Sequence, residues 1–262
     1  MSFANNTYVL ERLAAGKVPK ASAIQMVGFS AGLTITYETV WDEGTLYAFN
    51  TAAMSSPTIS SASANDTSAG TGARTCRVTG VNTSYVAFTE DLTMNGHTGV
   101  ALTTANVLAI NSIEVLTAGS TGTNAGIIYV GEGAITTGKP ATVHGLVAAS
   151  FGRSTSAIYT VPASNKLLIK SFRASQTGAT TASTFNAVFE TITDGGPKLR
   201  KFLTGGVTSG GPISDSFDVP IMIPEKTKFQ VLALASAITA GSCYLNCILL
   251  NQDATDTQAT WI

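Results

Sequence analysis

Phe185-Asn186-Ala187-Val188-Phe189-Glu190-Thr191-Ile192 is the stretch that decides the fold class. In a pleated strand successive side chains point to opposite faces, so Phe185, Ala187 and Phe189 share one side and Asn186, Val188 and Glu190 the other. Lys228-Phe229-Gln230-Val231 repeats the alternation. Thr34-Ile35-Thr36-Tyr37-Glu38-Thr39-Val40-Trp41 is β-branched and aromatic, as a half-buried pleated surface prefers. Working outward, further strands are expected over 75–79, 85–94, 107–116, 127–130, 157–161, 167–172, 198–203, 217–223, 229–235 and 244–250. Gly/Ser/Thr/Asn clusters at 65–72, 119–126, 178–184 and 205–211 supply the turns between them. Beyond about residue 23 there is no helical period of useful length. The pattern predicts an all-β protein: an antiparallel two-sheet sandwich, jelly-roll-like, with an irregular N-terminal arm. The expected division is an arm at 1–24, a first half at 25–137 and a second half at 138–262, forming one jelly-roll-like domain or two.

Composition narrows the function. Charged residues are 12% of the 262, about half the usual ~25%, while hydrophobic residues are an ordinary 44%. A net charge of -1 with this apolar content excludes a disordered chain, and 15 basic against 16 acidic residues argue against a nucleic-acid partner. No run approaches the ~18 apolar residues of a membrane span, and Asn5, Asn6, Glu11 and Arg12 interrupt any signal-peptide core, so no membrane partner is expected. Without secretory context, the N-x-[ST] matches at Asn5, Asn65 and Asn82 read as accidental. Cys243 and Cys247, on one face of a strand, stand about 13 Å apart at ~3.3 Å per residue, too far for a disulfide. All three cysteines, Cys76 included, read as buried thiols suited to a reducing cytoplasm.

Four features stand out as structural or contact elements. Residues 8–15 form a turn or two of helix that Gly16 and Pro19 stop, in an arm carrying Arg12, Lys17 and Lys20. Residues 93–131 hold one formal charge, Glu114, and one histidine, His97. Such depletion fits an interface core or, equally, a buried pair of strands with uncharged loops. On the first reading Val107, Ile110, Ile113 and Val115 are contact residues. Val161-Pro162-Ala163-Ser164-Asn165-Lys166 and Ile223-Pro224-Glu225-Lys226-Thr227-Lys228 share a pattern in which an apolar-Pro step ends one strand and a Lys starts the next. Finally, Trp261-Ile262 places two large apolar groups together, to dock on the body of the protein or on a neighbour.

Catalytic motifs are weak. Gly28-Phe29-Ser30-Ala31-Gly32 matches the nucleophile elbow, but that motif needs a strand-to-helix turn and residues 33–40 read as strand. Its histidine would have to be His97 or His144. The two histidines and three cysteines lack zinc spacing, Asp215, Asp218 and Glu90-Asp91 lie in no calcium loop, and Gly70-Thr71-Gly72 precedes no helix. Lys198, Arg200 and Lys201 read as a charged edge strand. No catalytic, cofactor-binding or metal-binding residue is expected.

The segment 60–75, Ser-Ser-Ala-Ser-Ala-Asn-Asp-Thr-Ser-Ala-Gly-Thr-Gly-Ala-Arg-Thr, continuing to Val78-Thr79-Gly80, resembles a recurring segment of tailed-bacteriophage virion proteins. Ile113-Glu114-Val115-Leu116-Thr117-Ala118-Gly119 and Thr121-Gly122-Thr123-Asn124-Ala125-Gly126-Ile127 resemble the same group. Residues 157–162 and 219–227 do so more loosely, and the similarity spans about residues 40 to 250. The resemblance, to marine and cyanobacterial phage proteins, implies a β-sandwich capsid-decoration (cement) protein or a related structural component. It implies no enzymatic activity and no cofactor. It also implies synthesis in a host bacterial cytoplasm, a place on the capsid exterior, the major capsid protein as partner, and self-association as a trimer or dimer. Arg12, Lys17, Lys20, the strand around Val107 to Val115, and Trp261 are then the expected contacts. The alternative within this reading is a tail or fibre component, with Trp41, Tyr85 or Tyr159 lining a glycan groove.

Overall fold

The computed structural model describes residues 11–177, 184–203, 213–237 and 239–252. Its strands pair throughout in antiparallel fashion and form four sheets. Sheet I is β1 (Ala21–Leu33), β16 (Thr239–Asn251), β11 (Asn165–Thr177) and β14 (Ile213–Ile223), in that order. Sheet II is β10 (Ile158–Thr160), β15 (Thr227–Ala235), β12 (Phe185–Thr193) and β13 (Lys198–Leu203), and the short β2 (Glu38–Thr39) also pairs with β15. Sheet III is β6 (Val100–Ala101), β3 (Thr58–Ser61), β8 (Ile128–Thr136) and β9 (Lys139–Val147). Sheet IV is β5 (Ala87–Thr93), β4 (Ala73–Asn82) and β7 (Val107–Ala118).

The expected two-sheet jelly roll is therefore corrected to four small sheets in a propeller-like ring. The physical reason lies in β15. In a two-sheet sandwich every strand keeps one face toward solvent. In Thr227–Ala235 both faces are buried, Phe229, Val231 and Ala233 on one side and Lys228, Gln230 and Leu232 on the other. A third layer must cover the second face.

Three seams of the ring are packed with apolar side chains. Between sheets I and II, Phe172, Phe189 and Phe229 stack edge to face, with centroids 5.1 and 5.3 Å apart, among Leu33, Leu167, Ile169, Val231 and Leu245. Between sheets III and IV lie Ile59, Val78, Ile113, Ile128 and Val130. Between sheets II and III, Trp41 and Tyr47 meet Ile158, Tyr129 and Leu146. The fourth seam, from IV back to I, is polar. Gln25–Val27 of β1 and Asn111–Glu114 of β7 face each other across a gap of about 60 Å³, together with Arg153, Ser154 and Ser156. The segment 152–157 stitches it. Gly152 and Ile113 carbonyls accept from Val115 and Ser154 at 2.8 and 2.9 Å, and the Thr155 carbonyl accepts from Phe29 at 3.1 Å.

The Pro-containing repeat closes the larger core. The first copy carries the chain from β10 in sheet II to β11 in sheet I, and the second from β14 in sheet I to β15 in sheet II. Ser164 and Lys226, at the same place in the two copies, both adopt positive φ, 58° and 55°. The turns lie side by side: Val161 N–H donates to Thr227 O, Lys226 N–H to Val161 O, and Ser164 N–H to the Glu225 carboxylate at 2.6 Å.

Strand boundaries differ from expectation near the N-terminus. The regular strand is Ala21–Leu33, and of 34–41 only Glu38–Thr39 pairs. Thr34 ends β1 because its hydroxyl bonds to the Glu38 carboxylate at 2.6 Å and turns the chain out of the sheet. The Ser30 motif is thus strand, not turn. A Cβ at Gly28 would sit 2.5 Å from the Val40 carbonyl, so β1 needs that glycine for close packing. Ahead of it, residues 11–14 form one helical turn that ends at Gly16, φ 66°. The three thiols are free and buried, and burial pushes the pKa of each up to about 12.

The outer face of β15 is held by a line of hydrogen bonds. Arg200 Nε donates to Glu190 Oε2 (2.8 Å), Gln230 Nε2 to Glu190 Oε1 (2.7 Å), Thr39 Oγ1 to Gln230 Oε1 (2.6 Å), and Tyr47 N–H to Thr39 Oγ1 (2.7 Å). Glu190 is wholly buried while Arg200 reaches water. Replacing Glu190 by Ala leaves the Gln230 amide without its acceptor in a place water does not enter. Glu190→Ala is expected to lower the unfolding free energy by about 3 kcal/mol, read from urea denaturation midpoints at constant slope.

Candidate functional site

The most densely built site lies in the loops that carry the sequence resemblance. Asp66 opens the Gly-rich part of the first loop and is wholly buried. Its Oδ1 accepts the N–H groups of Ala73 and Ala125 at 2.6 and 2.8 Å. Its Oδ2 accepts the Ser61 hydroxyl at 2.5 Å and the Gly126 N–H at 3.0 Å. Its carbonyl accepts the Gly96 N–H at 2.7 Å. One side chain therefore ties residues 61–73 to residues 125–126. Gly72 is required here, since a Cβ would fall 2.0 Å from Asp66 Oδ1. Gly72 O and Thr71 O accept from the N–H groups of Gly119 and Thr121 at 2.8 and 2.9 Å, continuing the join.

Asn124, also wholly buried, extends the node to a third loop. Its Nδ2 donates to the Gly126 and Ala148 carbonyls at 2.7 and 2.9 Å, and its Oδ1 accepts the Gly152 N–H at 2.9 Å. A carboxylate saturated by four donors is a fastening and not a base or a ligand. Neither Asp66 nor Asn124 was singled out from sequence. The available signal was an Asp set among Ser and Gly, where short polar side chains bond nearby backbone.

The sequence-predicted contacts are dispersed. Arg12, Lys17 and Lys20 are exposed at the start of sheet I, where Lys20 O accepts the Asn251 N–H at 2.8 Å. Val107, Ile110 and Ile113 are inside the core between sheets III and IV, and Val115 packs against it. Their side chains pack within the chain. Trp261 lies outside the described residues. Trp41, Tyr85 and Tyr159 are also buried, at 3, 4 and 7% exposure, so they form no open sugar platform. Ser30 is buried within β1, and its hydroxyl has no hydrogen-bond partner among the described residues. His97 Nδ1 meets the Ser61 carbonyl and His144 Nε2 meets Glu132, both at 3.1 Å. Among the described residues no group of three or more His, Cys, Asp or Glu is placed to hold a metal ion.

Exposed apolar groups collect elsewhere. Leu199 on β13 and Val219 and Met222 on β14 are 57, 84 and 54% exposed. These two strands are the edges of sheets II and I. Between them opens an apolar cleft of about 190 Å³, lined by Phe189, Leu199, Ile221, Met222, Ile223 and Pro224, with Lys201 also on its wall. The basic residues of β13 do lie on a sheet edge, as the sequence indicated.

Two ionisable groups link the ring to pH. Burial works against the charge on Glu90, but the hydroxyl and N–H donors of Thr103 and Thr104, at 2.5–3.2 Å, prevail and hold its carboxyl below the usual range. Burial presses the His144 imidazole below 6.5, and its bond to Glu132 opposes this without reversing it.

Two measurements follow from these groups. In Asp66→Asn the side-chain NH2 must face backbone N–H groups, which costs about 3 kcal/mol and speeds amide exchange at Ala73, Ala125 and Gly126. For His144 the folded pKa lies below the unfolded one. Its contribution is therefore whole above the unfolded value, roughly 6.5, and is lost as pH falls below it toward the folded value. Denaturation midpoints taken between pH 7.5 and 5.5, about one unit either side of that value, are expected to fall on acidification. The fall is smaller in His144→Gln.

No protein-family model matches the chain, and no curated protein matches it. Solved structures of infectious bursal disease virus are similar to it at low identity. The structure of the Gt strain shows 11% identity over 93% of this chain and 78% of that chain, with a TM-score of 0.27. The virus-derived T=1 particles show 13% over 95% and 80%, with a TM-score of 0.25. The VP2 subviral particle shows 12% over 94% and 82%, with a TM-score of 0.22. No residue role is carried across from them.

Proposed function

We propose that the chain is a structural protein of a virus particle, of the tailed-phage decoration type. On this reading it binds the outer capsid surface through the major capsid protein and through copies of itself, as a trimer or dimer, after synthesis in the host cytoplasm. The observation that carries the reading is the Asp66 node. The two stretches that resemble phage virion proteins, 60–80 and 113–127, are the two that this buried carboxylate joins. The resemblance thus falls on one three-dimensional fastening and not on unrelated polar loops.

The physical character of the molecule supports the same role. A decoration protein adds stability by repeated contact, and many weak contacts give avidity without any strong one. Here the outside offers few charges, large exposed apolar side chains such as Ile35, Phe151 and Val219, and the exposed cations Arg12, Lys17 and Lys20. The proposed halves, 25–137 and 138–262, are clasped by β1, which leaves the first to pair with β16 of the second. No helix among the described residues is long and apolar enough to cross a membrane.

Quantitative immunoblotting and immunogold labelling of purified particles test the proposal. A decoration protein is present at on the order of hundreds of copies spread over the capsid. About a dozen copies confined to the tail, or absence from the particle, would overturn it.

A further inference from the structure

The cleft between β13 and β14 is the open mouth of the larger core, where the edges of sheets I and II part. At about 190 Å³ it is smaller than the ~300–1,000 Å³ of pockets that take small molecules, and it suits one large side chain. Its lining is apolar, and Leu199 and Met222 stand more than half exposed at its rim.

The position of the chain near residue 252 indicates what fills it. Gln252 N–H donates to Ser164 O at 2.6 Å, and Ser164 N–H donates to the carboxylate of Glu225, the neighbour of the cleft residue Pro224. The end of β16 is two strands from the end of β14, since Asn251 faces Asn165 and Leu167 faces Ile223. At ~4.8 Å per strand this is about 10 Å. Residues 253–262 span up to ~33 Å when extended, several times that distance. They also match the cleft chemically. Asp253 and Asp256 are their only charges, while the cleft wall bears Lys201 and the same strand exposes Lys198. Their large apolar groups are Trp261 and Ile262.

We infer that this cleft is the seat of the chain's own C-terminal segment, residues 253–262, with Trp261 as the side chain that enters it. The segment caps the mouth of the sheet I–sheet II core and covers the apolar rim of the two edge strands. The inference does not depend on the proposed virion role.

The test reads Trp261 as the fluorescence difference between the full chain and its Trp261→Phe variant, because the only other tryptophan, Trp41, is buried and common to both. In the unmodified protein the Trp261 signal is expected to be blue-shifted. Its quenching by acrylamide is expected to be about threefold weaker than in Met222→Asp, which places a charge at the rim. Lys201→Glu, which leaves the apolar lining intact, is expected to raise quenching in the same direction and serves if Met222→Asp does not fold. Equal quenching in the unmodified protein and a folded variant would overturn the inference. Shielding lost on about a hundredfold dilution would also overturn it, since the segment would then come from a second copy.

Discussion

The burial of β15 on both faces is the constraint on which the architecture rests. One face gives Phe229 and Val231 to the aromatic core shared with sheet I. The other places Gln230 where only protein groups can satisfy it, and Glu190, Thr39 and the Tyr47 N–H supply the partners. An unpaired amide there costs on the order of 1–3 kcal/mol, so the segment leading from β2 to Tyr47 has to lie against sheet II. Its position brings Trp41 and Tyr47 onto Tyr129 and Leu146 of sheet III. Lys228 reinforces the arrangement by donating from Nζ to the Asn50 carbonyl at 2.7 Å, although burial holds its pKa below the ordinary lysine value. A polar requirement in one strand thereby places a whole neighbouring sheet.

Asp66 does for the loops what Gln230 does for the sheets. Turns rich in Gly, Ser and Thr bury little apolar surface and lose much entropy on ordering. Four donors converging on one carboxylate, with Asn124 bonding three further loop groups, offset that cost locally. The low charge content of the chain fits this economy: among the described residues the wholly buried carboxylates, Asp66 and Glu190, are fully engaged by hydrogen bonds, and the buried Lys228 donates to a carbonyl.

Much of the secondary structure was legible because alternation is a local property. Phe185 to Ile192 and Lys198 to Leu203 read as the strands they are. Others were hidden. In β1 the run Ala21-Ser22-Ala23 lacks β-branched residues, and pairing with β16 outweighs its weak preference. β9 is absent from the expected strands; it contains Pro140, and it lies at a sheet edge, where a missing N–H is tolerated. Conversely, Thr34 to Trp41 has strand composition, yet only Glu38–Thr39 is regular strand, since the Thr34–Glu38 hydrogen bond turns the chain from β1 toward β15, which the Thr34 carbonyl and the Val40 N–H meet. The number of sheets was not legible. Lys228 and Gln230 look like a solvent-facing row beside Phe229 and Val231, and only long-range partners reveal that the row is covered. For the same reason the neutral run through Val107, Ile110 and Ile113 could be read from sequence as surface or interior, and the fold made it interior.

The ring is not equally firm around its circumference. Three of its joints are filled by apolar side chains. The fourth, between β1 and β7, is polar and is bridged by hydrogen bonds from residues 152–157, the Ser154 hydroxyl and the Arg153 guanidinium included. Water can replace such bonds at little cost, whereas parting aromatic side chains forfeits their dispersion contacts as well as their burial. Local opening is therefore expected first at that joint, while Asn111 keeps β7 tied to β10 through two 2.8 Å hydrogen bonds with Thr160. Opening at that joint would leave the apolar clusters of the other three joints intact.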